Sequence, residues 1–279
     1  MNTRRERLID RAVVAFLIDP MLRNTALRTK LKRDTYGESA WIPFVLKHII
    51  DPTILPPPSY TRERADAVYG QAFRRCVEFS VRSNLTGDVM EFGTLLGYTA
   101  RWLAGLIREY GSSVSLWLYD SFEGLPDIQA EEDLTSYDVQ VNKTWFKGAM
   151  KVYPEIHSRV QEALGRIIPP DSLHVIKGYF EQTLGANLPE GKATIIHVDS
   201  DLYASAKFVL ETLLRAEKFQ DGTILIFDDF NSNRANPRMG ERLALLEAFA
   251  SQTRFTVSPW FSYGWNGQTF FVHDGGPDA

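Results

Sequence analysis

The chain has 279 residues, 44% of them hydrophobic and 24% charged, with 31 Lys and Arg against 35 Asp and Glu for a net charge of −4. These proportions are typical of soluble globular proteins and exclude collagen-like, coiled-coil and intrinsically disordered chains. The length suits one α/β domain with a small helical extension. The single cysteine, Cys76, has no partner in the sequence for a disulfide. This favours a reducing compartment, and we predict a cytoplasmic location.

The N-terminal segment is basic, since residues 1–33 carry nine basic and three acidic side chains. Solvated helix faces explain this charge, and an arm for nucleic acid, anionic lipid or an acidic subunit is the alternative. No nucleic-acid-binding motif accompanies it, so we predict no nucleic-acid partner. The apolar run at residues 12–18 is preceded by Asp10 and Arg11 and followed by no small-residue cleavage site. It therefore predicts a buried helix face and neither a secretory signal nor a membrane span.

A domain boundary is predicted in residues 51–60, which include three consecutive prolines at positions 56–58. Proline is excluded from helix interiors and favours extended backbone. We therefore predict an N-terminal helical extension with a proline-rich linker over residues 1–58 and a main domain over residues 59–279. The main domain is expected to begin with a helix, capped by Ser59 or Thr61 and running to about residue 83, because its apolar residues recur at helical spacing.

Strands and helices alternate in the rest of the chain. Short apolar strands are predicted at residues 88–92, 115–120, 173–177, 194–199 and 223–228, and helices at 98–110, 154–167, 204–217 and 240–251. This alternation predicts an α/β fold with a mostly parallel sheet covered on both faces. Residues 255–260 and 269–273 flank a turn-rich stretch that predicts a late antiparallel hairpin. The acidic segment 127–142 predicts a substrate lid, with a mobile surface loop as the alternative.

The first chemical motif, Glu91-Phe-Gly-Thr-Leu-Leu-Gly-Tyr-Thr99, follows the first strand of this sheet and opens a helix. Its two glycines, Gly93 and Gly97, permit a tight turn and close approach of a ligand to the backbone. The spacing differs from the G-x-G-x-x-G of dinucleotide-binding folds. Glu91 would repel a diphosphate and suits a ligand with an ammonium or sulfonium group. A purely structural strand-to-helix turn is the alternative.

Two further motifs follow the second and third strands. Asp120 ends the second strand, where a carboxylate can accept hydrogen bonds from ribose hydroxyls, although it could also cap the following turn. Together with the glycine motif, Asp120 favours a nucleoside ligand. Gly178, Tyr179 and Phe180 follow the third strand and could stack on a purine, or equally pack in the core.

The sharpest signal is a set of acids after the fourth and fifth strands. Asp199 ends one strand and Asp228 and Asp229 end the next, so their carboxylates should converge if the strands are neighbours. Converging carboxylates repel one another unless a proton or cation intervenes, and oxygen ligands suit Mg²⁺. We predict a magnesium site there, with Asn231 as an alternative ligand. Helix capping would explain Asp201, but it cannot explain both Asp228 and Asp229, which are adjacent in the chain.

In their order along residues 61–273, these motifs resemble the macrocin O-methyltransferase (TylF/MycF-like) family. The resemblance implies a class I methyltransferase-type, Rossmann-like sheet that is mostly parallel with a late antiparallel strand. It also implies S-adenosylmethionine and Mg²⁺ as cofactors, a homo-oligomer, and a small-molecule acceptor whose methylated hydroxyl belongs to a sugar or to a natural product with or without a sugar. Cofactor contacts are implied for Glu91, Phe92, Gly93, Gly97, Thr99, Asp120, Ser121, Gly178, Tyr179 and Phe180, metal ligation for Asp199, Asp228 and Asp229, and proton abstraction for Asp199.

The chain departs from the family pattern in two places. Asp221-Gly222 replaces a Gly-Gly pair before the fifth strand, and the stretch from Phe230 to Arg242 differs. The identity of the acceptor therefore cannot be inferred from the macrolide enzymes. Two alternatives to an O-methyltransferase stay open. One is a non-catalytic or repurposed protein with the same fold. The other is a nicotinamide oxidoreductase, which the missing G-x-G-x-x-G disfavours.

Overall fold

The computed structural model describes residues 66–111 and 114–275. The predicted N-terminal extension, its proline-rich linker, the basic segment and the boundary at residue 58 lie outside this part of the chain. None of the helices in the described residues is long and apolar enough to cross a bilayer.

The centre of the fold is a seven-stranded sheet in the order β3-β2-β1-β4-β5-β7-β6. Strands β1 to β5 run parallel, and β7 runs antiparallel to both β5 and β6. This confirms the predicted mostly parallel sheet with a late antiparallel strand. The strands are β1 Asp88–Phe92, β2 Leu116–Asp120, β3 Leu173–Lys177, β4 Ala193–Val198, β5 Ile224–Phe227, β6 Phe255–Tyr263 and β7 Gly267–Asp274.

Helices cover both faces of this sheet. After a π-helical turn at Asp66–Gly70, they are α1 Gln71–Arg82, α2 Tyr98–Glu109, α3 Glu131–Leu134, α4 Tyr137–Gln140, α5 Ile156–Gly165, α6 Phe180–Thr183, α7 Tyr203–Arg215 and α8 Gly240–Ala250. The long helices α2, α5, α7 and α8 lie within about two residues of their predicted limits. The short helices α3 and α4 occupy the segment for which the sequence predicted a lid or a mobile loop.

The central strands are mostly apolar because each face of the sheet supports its own core. In β5, Ile224 and Ile226 pack into the core that includes α1, α2 and α5. The alternate residues Leu225 and Phe227 pack into the core that includes α7 and α8. Since both faces are filled, the carboxyl ends of the parallel strands form the edge at which a ligand can enter.

Candidate functional site at the carboxyl edge of the sheet

The turn after β1 brings β1 close to the end of β4. Gly93 has φ +97°, and a Cβ atom at this position would lie 1.7 Å from the carbonyl oxygen of Asp199. The backbone N–H of Gly93 donates to Tyr119 at 2.9 Å, and that of Asp199 donates to Phe92 at 2.8 Å. Only glycine permits this approach, and it places the start of α2 beside the end of β4.

Asp120 fastens this glycine turn to the end of β2. Its Oδ2 accepts the backbone N–H of Leu95 at 2.7 Å, and its Oδ1 accepts that of Phe122 at 2.6 Å. Burial raises the pKa of Asp120, and these backbone hydrogen bonds oppose that rise. A carboxylate has about four lone-pair sites, so both oxygens keep acceptor capacity for a ligand.

A cleft that opens to solvent lies at this edge of the sheet. Six of the predicted site residues line it together: Gly93, Asp120, Ser121, Tyr179, Phe180 and Asp199. The structure therefore brings the glycine turn, the acid after β2, the aromatic pair after β3 and the acid after β4 to one opening.

Other predicted cofactor residues are not among the described residues that line this cleft. Within residues 66–111 and 114–275, its lining does not include Glu91, Phe92, Gly97, Thr99 or Gly178. Phe92 stacks on Tyr119, with ring centroids 4.8 Å apart. Gly97 and Gly178 have φ +73° and +143° and shape their turns. Contact of these five residues with a cofactor stays a prediction.

Glu91 has a partner that the sequence did not predict. It is fully buried, and its Oε2 lies 3.1 Å from Nδ1 of His197, the residue opposite it on β4. Oε1 of Glu91 and Nε2 of His197 have no hydrogen-bond partner within the described residues. His197 is thus a buried packing residue, as predicted, and it also orients Glu91.

The acids after β5 are held by neighbouring hydroxyl and amide groups. Tyr263 donates to Oδ1 of Asp228 at 3.0 Å, and Tyr69 donates to Oδ2 at 3.2 Å. Oδ1 of Asp229 accepts hydrogen bonds from Ser232 and Asn266. The two carboxylates are therefore fixed in orientation beside the end of β4.

The acids are close enough to influence one another's ionisation. Burial and the charges of Asp228 and Asp229 raise the pKa of Asp199 well above its usual value. Burial and Asp228 raise the pKa of Asp229 to about 6. Several acidic side chains thus lie near one another here, in a place where water cannot fully solvate their charges.

No group of three or more His, Cys, Asp or Glu side chains within the described ranges is arranged as a ready-made metal centre. Asn231, the alternative ligand, has its amide oxygen bonded to Arg242. The Mg²⁺ site therefore stays a prediction.

Sequence reasoning missed Asp133, which caps α7. The N-cap residue Leu202 makes no side-chain cap. Instead the buried carboxylate of Asp133 accepts the backbone N–H groups of Tyr203 at 2.7 Å and Ala204 at 3.0 Å. Capping by Asp201, the alternative considered from sequence, is not what the structure shows. Asp201 lines the cleft beside Asp199.

The segment predicted as a lid is anchored. Asp138 and Asn233 exchange two hydrogen bonds: the Asp138 N–H donates to Oδ1 of Asn233 at 2.9 Å, and the Asn233 N–H donates to Oδ2 of Asp138 at 2.7 Å. Asp133 bonds to the start of α7, and Asp138 bonds to Asn233. The segment is therefore attached at two points to the edge of the sheet that carries the acids, namely to α7 and to the loop after β5. No local sequence pattern could have shown these contacts, because the partners are 70 to 95 residues away.

The strand order and the position of the cleft define a class I methyltransferase-type fold. The structure of the O-methyltransferase NovP matches with a TM-score of 0.60 and 17% identity, over 95% of this chain and 98% of that chain. The calicheamicin methyltransferase CalS11 matches with a TM-score of 0.61 and 18% identity, over 97% and 94% of the two chains. At these identities the likeness establishes the fold.

The family follows from the sequence itself. The family model described as macrocin-O-methyltransferase (TylF) matches residues 64–242. The chain belongs to this family, which confirms the resemblance inferred from its motifs.

Two characterised relatives show how far the similarity extends. The 8-demethyl-8-(2,3-dimethoxy-alpha-L-rhamnosyl)-tetracenomycin-C 4'-O-methyltransferase of Streptomyces olivaceus is 28% identical over 156 residues, which are 56% of this chain and 57% of the relative. The mycinamicin III 3''-O-methyltransferase of Micromonospora griseorubida is 26% identical over 159 residues, which are 56% and 60% of the two chains. The match thus spans less than two thirds of each relative.

Proposed function

We propose that this protein is an S-adenosylmethionine-dependent, Mg²⁺-dependent O-methyltransferase that methylates a hydroxyl of a glycosylated natural product. The observation that carries the proposal is the shared opening of the glycine turn at Gly93, the carboxylate of Asp120 and the carboxylate of Asp199. Family membership supports the reaction type. The rhamnosyl group and the 4'-O position in the name of the Streptomyces olivaceus relative support a sugar hydroxyl as the acceptor.

The cleft has groups for each part of the methyl donor. Asp120 is the acceptor for the ribose hydroxyls, because its two backbone hydrogen bonds leave lone pairs available. Tyr179 and Phe180 provide aromatic surface for the adenine. The methionine end then lies at the Gly93 turn, which places the sulfonium near Asp199.

Asp199, Asp228 and Asp229 are the residues that would hold Mg²⁺. The support is chemical: all three side chains are oxygen donors, and burial together with the charges of Asp228 and Asp229 raises the pKa of Asp199. A bound Mg²⁺ would supply Lewis-acid polarisation of the acceptor hydroxyl.

In the proposed reaction, the acceptor oxygen attacks the methyl carbon in line with the sulfur. The new O–C bond forms as the C–S bond breaks, and the sulfonium becomes the neutral thioether of S-adenosylhomocysteine. Asp199, which reaches the cleft, accepts the hydroxyl proton. Holding donor and acceptor in this alignment contributes several kcal/mol of the barrier reduction.

Titration calorimetry with S-adenosylmethionine, followed by methyl-transfer assays on a panel of glycosylated natural products, tests the proposal. We expect binding and a product heavier by one methylene. The double variant Asp228→Ala/Asp229→Ala should lose turnover and keep donor affinity within a few-fold. Glu162→Ala, which removes a carboxylate with 66% exposure, is the matched surface control.

Each contrary result would show which part of the proposed function is wrong. Failure to bind the donor refutes the proposal, and tight binding of NADH in its place supports the oxidoreductase alternative. Donor binding without transfer to any acceptor supports a non-catalytic protein. Undiminished turnover in EDTA removes Mg²⁺ from the mechanism.

A further inference from the structure

One buried carboxylate joins the two loops that carry the acids. Glu241 is fully buried in the first turn of α8. Its Oε1 accepts the backbone N–H of Ser200 at 3.3 Å, and its Oε2 accepts that of Asp229 at 3.0 Å. A single side chain therefore spans the loop after β4 and the loop after β5.

The two backbone groups that Glu241 binds belong to the acid-bearing loops themselves. Ser200 lies between Asp199 and Asp201 in the chain, and Asp229 is one of the predicted metal ligands. Backbone positions determine where the attached carboxylates can reach. The separation of the acids across the two loops therefore depends on the length of one glutamate side chain.

The start of helix α8 is itself held in place by contacts with a neighbouring loop. Gly240 has φ +58°, and a Cβ atom there would lie 3.2 Å from Nδ2 of the buried Asn233. The N–H of Asn233 is in turn bound by Asp138. Glu241 therefore projects from a helix end that packs against a well-anchored loop.

This carboxylate is costly to bury. The charged groups that act on it most strongly are other carboxylates, those of Asp229, Asp228 and Asp201. Two backbone N–H groups and the positive end of the α8 dipole favour its anion. An apolar side chain at this position would avoid the loss of hydration. The location of the charge, between the two acidic loops, indicates a role in the site.

We propose that Glu241 is a positioning residue that sets the spacing between the carboxylates of Asp199 and Asp229. It contacts the backbone of both loops and leaves the acceptor and the methyl donor to other residues. This inference rests on the proposed function, because the spacing matters only if these acids act together on a metal and an acceptor hydroxyl.

The test compares Glu241→Ala and Glu241→Gln with Glu247→Ala. Glu247 lies on the same helix but is 40% exposed and pairs with Lys207. The readouts are donor affinity by calorimetry, Mn²⁺ affinity by electron paramagnetic resonance, kcat and KM for methyl transfer, and the melting temperature.

We expect Glu241→Ala to lower kcat by about 10- to 100-fold, the loss typical of hydrogen bonds to a charged group. Its Mn²⁺ affinity should fall and its donor affinity should stay within about threefold, because Glu241 is not among the described residues that line the cleft proposed for the donor. Glu241→Gln keeps one acceptor oxygen and should recover part of kcat. Glu247→Ala should match the wild type in all four measurements.

Wild-type kcat and Mn²⁺ affinity in a folded Glu241→Ala protein would overturn the inference. If Glu241→Ala does not fold, Glu241→Gln decides: a lowered kcat at a nearly unchanged melting temperature supports the role, and an unchanged kcat refutes it. A wild-type protein that binds no donor would refute the proposed function itself. If the wild-type protein binds no Mn²⁺, the comparison of kcat between the variants decides the inference.

Discussion

Gly93→Ala is the single substitution to which the site should be most sensitive. The backbone at Gly93 has φ +97°, which costs an L-residue about 1–2 kcal/mol. The added Cβ would also lie 1.7 Å from the carbonyl oxygen of Asp199, a distance far below the 3.0 Å that real Cβ contacts respect. Because the obstacle is backbone directly after the central strand β4, the ends of β1 and β4 must separate by more than 1 Å. We expect a total loss of about 4 kcal/mol, at the upper end for point substitutions.

Urea unfolding at equilibrium measures this loss, and Gly105→Ala is the matched control. Gly105 lies inside α2, and a Cβ atom there meets nothing within 4 Å. That substitution should raise stability by about 0.5–1 kcal/mol, because alanine is the better helix former. A Gly93→Ala protein as stable as the wild type, with unchanged affinity for S-adenosylmethionine, would refute the close approach of β1 and β4 and its role in the site.

Two further predictions concern the acids. The pKa of Asp229 rises from 3.8 to about 6 in the folded protein, so folding takes up a proton between these values and stability falls as the pH rises through them. Without metal, Asp229 should contribute about 3 kcal/mol to this fall, so the pH dependence should be weaker in Asp229→Asn. Urea unfolding at about pH 4 and about pH 8 measures both profiles, and equal profiles for the two proteins would contradict the prediction. Asp133→Ala removes the acceptor for the N–H groups of Tyr203 and Ala204 and should cost about 2–3 kcal/mol and speed proteolysis near residue 133. Asp133→Asn, which keeps one acceptor, should cost less; a stable, protease-resistant Asp133→Ala would show that the cap is dispensable.

The sheet could be predicted closely from sequence for a physical reason. Strands covered on both faces are short apolar runs bounded by turn residues, so β1 and β3 were predicted to the residue. Repeated alternation with helices then left a parallel sheet as the simplest arrangement. The same rule placed Asp120 and Asp199 at one edge, and the structure confirms that both line the cleft.

The contacts that assemble the site could not be predicted in this way. The partner of Glu91 is one example, because the pairing of β1 with β4 places His197 opposite it in the interior. The register between two strands 106 residues apart is set by the whole sheet. Asp133 and Glu241 act on backbone groups 12 to 71 residues away, and no periodicity or spacing marks such contacts.

The most direct test of the account is a crystal structure of the protein grown with S-adenosylhomocysteine. We predict the nucleoside in the cleft, with its ribose hydroxyls on Asp120, its adenine against Tyr179 and Phe180, and its sulfur near Gly93 on the side of Asp199. A nucleoside bound elsewhere, or a ribose turned away from Asp120, would contradict the claim that these residues form one methyl-donor site.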